Sequence, residues 1–171
     1  MAGTEPTHDI RPVRSSDAAA IRAIYAPIVT GTAVSFELEV PSTDEMAARI
    51  ERVTATDPWL VLERGGNLAG YAYATGFRSR AAYATTRETT VYVHPDHQGC
   101  GVGRALMEAL LADVARRGTR LAVAVIALPN DASVALHESL GFTRAGTLHG
   151  VARKFDAWQD EGFWELRLGE G

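Results

Sequence analysis

Three glycines, Gly99, Gly101 and Gly103, fall within five positions between the apolar run "TVYV" and the amphipathic segment "VGRALMEALLADVARRG". A strand, a bare loop and a helix in that order make a crossover, which delivers the chain to a parallel neighbour in the same sheet. Here that neighbour is the apolar strand "RLAVAVIAL". The first four amides of a helix have no partner within it and sit at the positive end of its dipole, where a phosphate group fits. Glycines let a bulky diphosphate approach those amides and permit positive φ in the loop. The competing reading is a tight strand-to-helix turn. Two familiar phosphate loops are excluded. A P-loop needs Lys then Ser or Thr after its last glycine, where this chain has Arg104 and Ala105; a dinucleotide fingerprint needs a sixth-position glycine, where counting from Gly99 gives Arg104 and from Gly101 gives Leu106.

Strands and helices interleave around this crossover, with no repeat and no low-complexity linker. "HDIRPVR" alternates as an edge strand, and Ser16 with Asp17 is expected to cap a helix over "AAAIRAIYAPIV" that Pro27 ends or kinks. "GTAVSFELEVP" reads as an extended loop. Ser42 and Glu45 form a capping box at the head of the helix "TDEMAARIERV". "WLVLERGGNLAGYAYATGF" is a hairpin about Gly-Gly-Asn, and "ETTVYVHP" is a central strand stopped by Pro95. A helix over "NDASVALHESLGF" and two closing strands ending in "GFWELRL" complete the chain. The expected class is α+β, a mixed and mostly antiparallel sheet with helices on both faces, as one domain over residues 1–171 whose residues 1–8 form a disordered or loosely held tail.

At 46% hydrophobic and 22% charged residues, the balance is that of a globular domain. A net charge of −4 argues against nucleic acid as partner, which wants a basic face. The N-terminus lacks a signal-peptide pattern and no apolar run suffices to span a bilayer, so no membrane association is expected and the cytoplasm is the default compartment. Cys100 is the single cysteine and cannot form an internal disulfide. Lys154 is the one lysine in a chain rich in arginine.

The segment from Gln98 to Gly103 resembles the acetyl-CoA loop of the GNAT-type N-acetyltransferases, Gln/Arg-x-x-Gly-x-Gly/Ala. The resemblance extends over nearly the whole chain and is specific to the phosphinothricin and methionine sulfoximine acetyltransferases. It rests on Ala82, Tyr83, Thr86, Glu88, Val91 to Pro95, Leu136 to Glu138, Leu140 to Phe142, Lys154, Phe155, Trp158 and Asp160. What it implies is a GNAT fold in which the "VYV" and "AVAVIA" strands splay apart at the cofactor site. The activity implied is acetyl transfer from acetyl-CoA to the primary amine of a small amino-acid analogue, by direct attack, in a homodimer and without a metal. Other acceptors, such as a different small amine or a protein N-terminus, and a non-enzymatic acyl-CoA-binding module are the alternatives.

The resemblance also implies site residues. Backbone groups of Val91, Tyr92 and Val93 would meet the pantetheine arm; Gln98, Gly99, Cys100, Gly101, Val102, Gly103 and Arg104 would take the diphosphate; Asn130 and Ser139 would contact the cofactor. Asn130 also reads as a plain helix N-cap. Glu88 is the candidate base, on one strand face with Thr90 and Tyr92, against the reading of a surface carboxylate paired with Arg87. A main-chain N–H near Tyr92 or Val93 would polarise the thioester carbonyl. His137 stands where many GNAT enzymes have a tyrosine acid; it would protonate the leaving thiolate, unless it only hydrogen-bonds within the core and the thiolate leaves unassisted. Cys100 replaces a cation common among relatives, and direct transfer gives it no task as nucleophile. His94 and His97 read as loop residues rather than metal ligands, and Trp158, Phe163 and Trp164 as core or dimer contacts. Arg78, Arg80 and Tyr83 precede the catalytic strand as an anion grip, with a solvated turn as the alternative, and Phe36 would wall the pocket.

Overall fold

The computed structural model describes residues 9–169. The tail expected at residues 1–8 lies outside the described residues. Strand β1 is Asp9–Pro12, followed by a short 3-10 turn at Ser15–Asp17 and helix α1, Ala18–Gly31. Asp17 does not cap α1 with its side chain. Its carboxylate accepts instead from the Arg14 amide at 2.7 Å, before the helix, and from the Arg11 guanidinium at 2.8 Å, so its oxygens serve these donors and not the α1 amides. Nor does Pro27 end α1, which continues to Gly31. Buried Ile24, Tyr25 and Val29 on either side of the proline hold the helix to the sheet.

Helix α2, Thr43–Thr54, has the expected capping box: the Ser42 side chain accepts from the Glu45 amide and Glu45 accepts from the Ser42 amide. Strands β2, Trp59–Arg64, and β3, Asn67–Gly76, follow. The turn between them is shorter than expected, because Asn67 already belongs to β3. Gly65 and Gly66 both have positive φ, 58° and 81°, the backbone a two-residue hairpin turn of primed type requires. Strand β4, Thr86–Val93, leads through a 3-10 turn at Pro95–His97 to helix α3, Val102–Arg116. Strand β5, Leu121–Leu128, helix α4, Asp131–Ser139, and strands β6, Thr143–Lys154, and β7, Ala157–Arg167, complete the fold.

The seven strands form one sheet in the order β1-β2-β3-β4-β5-β7-β6. Every pairing is antiparallel except β4 with β5. One face packs Leu106, Met107, Leu110 and Val114 of α3 against Leu62, Ala72, Ala124 and Trp164. The other packs Ile21, Ile24 and Val29 of α1 and Met46 and Ile50 of α2 against Trp59, Val61 and Tyr71. Helices thus cover both faces, as the sequence predicts.

The parallel pair determines the position of the site. Its ladder runs only from Thr86↔Leu121 to Thr89↔Ala124, half of each eight-residue strand. The buried Thr89 hydroxyl, donating to the Val123 carbonyl at 3.3 Å, lies at the last rung. Beyond it β4 stays paired with β3 as far as Val93↔Gly70, and β5 stays paired with β7 as far as Leu128↔Asp160. Each strand keeps its outer neighbour and the two part.

Candidate active site

The opening between β4 and β5 is a cleft of about 250 Å³. His94 donates its amide to the Ala69 carbonyl on β3, so by strand alternation the peptide groups of Val91 and Val93 face the other way, toward β5, where the ladder has ended. They are left to bond an extended guest, as a peptide adds to a sheet edge. Tyr92, two residues from His94, turns its own N–H toward β3. Of the two amides expected to polarise a carbonyl, Val93 is therefore the one that faces the cleft side.

The glycine loop lies at the end of β4. Gly99 and Gly101 have φ of 70° and 80°, and Gly101 caps α3 in the left-handed region. A Cβ on either would meet nothing within 4 Å, so it is backbone conformation that demands glycine there. Gly103 is different: it is helical, and a Cβ there would come within 3.2 Å of Leu136 Cδ2. It lets α3 approach α4. The first intrahelical bond is from the Ala105 amide to the Gly101 carbonyl at 3.0 Å, which leaves the amides of Val102, Gly103 and Arg104 open at the helix head. The Val102 side chain is buried in the core, so only its main chain can serve a ligand. Gln98 and Cys100 are exposed, and the Cys100 carbonyl accepts from Arg64 Nη2 at 3.0 Å. Arg104 is exposed and donates to Ser139 Oγ at 2.8 Å, joining two expected cofactor contacts from different helices. Asn130 caps α4 by accepting from the Ser133 amide at 3.2 Å, as the N-cap reading has it, and also lines the cleft.

Glu88 lines the cleft and is not paired with Arg87, whose guanidinium goes to Asp57 and to the Ala84 and Thr86 carbonyls. Burial raises the pKa of the Glu88 carboxyl above its ordinary value, and the nearby Glu161 carboxylate raises it further. A carboxylate destabilised in this way is a better proton acceptor near neutrality.

His137 is 3% exposed and lines the same cleft. Its position is set by the end of α4, where the Gly141 amide donates to the Glu138 carbonyl and the Phe142 amide to the His137 carbonyl, a Schellman turn with Gly141 at φ 94°. The Phe142 ring meets the imidazole edge-on at 5.1 Å. His137 Nδ1 lies 2.8 Å from the Ser133 carbonyl, which can only accept, so Nδ1 carries the hydrogen. Nε2 is then a lone pair, buried and without a partner among the described residues. Burial also lowers the pKa of His137, the bond to Ser133 opposing this in part. A neutral imidazole in this tautomer has no proton at Nε2 to give, and the expected role as acid does not fit it.

Phe36 lines the cleft, as expected. Its loop, residues 32–42, is tied down by groups that sequence reasoning passed over. Tyr25 Oη and Ser35 Oγ share a 2.6 Å hydrogen bond, Arg49 pairs with Glu37 at 2.6 Å, and buried Lys154 donates to the Ser35 carbonyl at 2.5 Å. Arg78, Arg80 and Tyr83 do not join the cleft lining. Arg78 instead stacks on the rings of Phe77 and Tyr83, at 5.1 and 5.6 Å, and both arginines are exposed. The solvated-turn reading describes what is seen there. Glu161 and Tyr73 line the cleft and were not expected there; the signal for Glu161 was its strand alternation with core residue Trp164.

A diphosphate-ready helix head beside parted parallel strands, with a half-buried carboxylate in the lining of the cleft, narrows the fold to a family. Residues 10–163 match the family described as Acetyltransferase (GNAT) domain. The chain belongs to the GNAT acetyltransferases. It is 46% identical over 95% of its length to a phosphinothricin N-acetyltransferase of Alcaligenes faecalis, covering 83% of that protein. It is 40% identical over 94% of its length to an L-methionine sulfoximine/L-methionine sulfone acetyltransferase of Salmonella typhimurium, covering 95% of it. Among solved structures, a Sinorhizobium meliloti phosphinothricin acetyltransferase in complex with acetyl-CoA superposes with a TM-score of 0.93 at 35% identity, covering 96% of this chain and 90% of that one. As a GNAT enzyme the chain is an N-acetyltransferase. The open α3 amides, the clearance over Gly99 and Gly101 and the unladdered peptide groups of Val91 and Val93 fit the diphosphate and the extended arm of acetyl-CoA. No helix among the described residues is long and apolar enough to cross a membrane, and no cluster there has the makings of a metal site.

Proposed function

We propose that this GNAT enzyme acetylates the primary amine of a small amino-acid analogue, of the class of phosphinothricin, methionine sulfoximine or methionine sulfone, by direct attack in a ternary complex. The observation that carries this reading is the position of Glu88, half-buried and without an ion pair among the described residues, in the lining of a cleft that also includes Phe36 and opens where β4 and β5 part.

Acetyl-CoA supplies an activated acyl group. The α3 amides and Arg104 hold its diphosphate, the Val91 and Val93 peptides align its arm, and Asn130 and Ser139 border it. Glu88 takes a proton from the acceptor ammonium and frees the nucleophilic pair; as the nitrogen–carbonyl bond forms and the carbon–sulfur bond breaks, the nitrogen's second proton passes to water. The Val93 N–H stabilises the charge that gathers on the carbonyl oxygen. His137 offers Nε2 as an acceptor that orients an N–H or water in the cleft, and the thiolate leaves without a proton from it. Phe36 walls the acceptor side, and Arg78, Arg80 and Tyr83 serve acceptor anions only from outside the lining. The same proposal includes a homodimer, supported by the exposed apolar residues Leu148, Val151, Phe155 and Trp158 on β6 and β7 and the turn between them.

The test is coenzyme A release from acetyl-CoA with each of the three acceptors. Saturable turnover with at least one is expected, and Glu88→Gln is expected to lower kcat/KM by about 10² to 10⁴. Turnover of none, despite acetyl-CoA binding, rejects this acceptor class; near-normal rates in Glu88→Gln reject the base.

A further inference from the structure

The cleft holds a second carboxylate, on Glu161, that the chemistry above does not use. Glu88 pairs across β4 and β5 with Val123, and Glu161 pairs across β5 and β7 with Ala127. Val123 and Ala127 are four residues apart on one strand and so point to one face. The two glutamates therefore stand on the same side of the sheet, flanking β5, and both line the cleft. Among the described residues neither has an ion pair, and no cationic side chain lines the cleft. Lys154 is on the Ser35 carbonyl, Arg49 is on Glu37, and Arg78 is stacked outside on Phe77 and Tyr83. Glu161 is itself held above its ordinary pKa by burial, and its charge reaches Glu88.

This gives the acceptor end of the cleft a definite electrostatic bias. Phosphinothricin carries an ammonium, a carboxylate and a phosphinate, a net charge of about −1 near neutrality. Methionine sulfone and sulfoximine carry the ammonium and carboxylate alone and are neutral overall. With two partly desolvated carboxylates and no cationic side chain in the lining, the extra anion meets repulsion that solvent and the Lys154 charge behind the Ser35 carbonyl weaken but do not remove.

We infer that Glu161 is a specificity-determining residue, whose carboxylate facing the cleft beside Glu88 disfavours acceptors bearing a second anion relative to neutral sulfone or sulfoximine analogues. The inference rests on the acceptor class proposed above. Removing the charge at constant shape, in Glu161→Gln, shifts selectivity toward phosphinothricin.

The experiment compares kcat/KM for methionine sulfone, methionine sulfoximine and phosphinothricin in wild type and Glu161→Gln, alongside calorimetric affinities of the same three compounds for the protein loaded with coenzyme A. In the variant the sulfone-to-phosphinothricin ratio is expected to fall about tenfold, through a lower KM for phosphinothricin, the effect of one unit charge at a separation of about 12 Å and an effective dielectric of about 20. A ratio within twofold of wild type in a variant that retains its melting temperature overturns the inference while leaving acetyl transfer intact. If no compound is turned over, the acceptor reading fails separately, and the calorimetric ratio still decides Glu161: a tenfold shift supports the inference and an unchanged ratio rejects it.

Discussion

His137 shows how one side chain's role turns on a single hydrogen. Its sequence position suggests an acid, but the Ser133 carbonyl at 2.8 Å accepts the Nδ1 hydrogen and burial disfavours the charged ring. The sign of the pH dependence separates the two roles. A base with a raised pKa is active only when ionised, so kcat/KM should rise with pH through a midpoint above the ordinary Glu range, and Glu88→Gln should abolish that limb. An acid at His137 would add a falling limb near neutrality. The neutral Nδ1–H tautomer inferred from the Ser133 contact predicts no such fall, and His137→Ala should lower the rate without changing the shape of the profile. Gly99 and Gly101 were legible from sequence because positive φ selects glycine locally. Gly103 was legible as a glycine, but its reason, the approach of Leu136, depends on a helix more than thirty positions away.

At the scale of elements, the start of α2 and the presence of the β2–β3 hairpin followed from local chemistry, a capping box and paired turn glycines, although the turn was read one residue too long. The entry to α1 did not, because Asp17 was drawn to Arg11 on β1. The loop at residues 32–42 had no periodicity to read, and its fixed position is tertiary. Lys154, 4% exposed at the end of β6, crosses to the Ser35 carbonyl and braces the segment carrying Phe36. Burial holds its pKa below the ordinary lysine value, with Glu37 opposing. Replacing it with methionine keeps most of the apolar stem and removes the donor, leaving a buried carbonyl with one fewer partner, a cost of about 1–3 kcal/mol. Lys154→Met is expected to raise the KM for the acceptor several-fold while leaving the KM for acetyl-CoA unchanged, since the glycine loop lies on a different element. Equal changes in both constants would mean that Lys154 supports the fold at large.

For the whole molecule, the exposed surface of β6, β7 and their turn is the part that a single chain leaves unfinished. Trp158 is 70% exposed and Phe155 58%, near Val151 and Leu148. Isolated apolar residues on a surface need no explanation, but large ones gathered on one hairpin suit a subunit contact. Trp158→Asp is expected to convert a dimer to a monomer in sedimentation equilibrium without lowering helix content, and a wild-type monomer at micromolar concentration would refute the dimer. Of what the structure contains, the order of elements, the crossover at the glycine loop and the strand that carries Glu88 were determined by the sequence alone. Periodicity, caps and turns act over a few residues, and their physics is local. Only the tertiary structure decided that the expected splay of β4 from β5 begins after Thr89, that Arg87 serves Asp57 rather than Glu88, that Arg78 folds away onto Phe77 and Tyr83, and that Glu161 shares the cleft with Glu88. Each of these depends on which distant strand or side chain lies alongside, and strand pairing and charge partners are selected by burial and Coulomb energy across the assembled sheet.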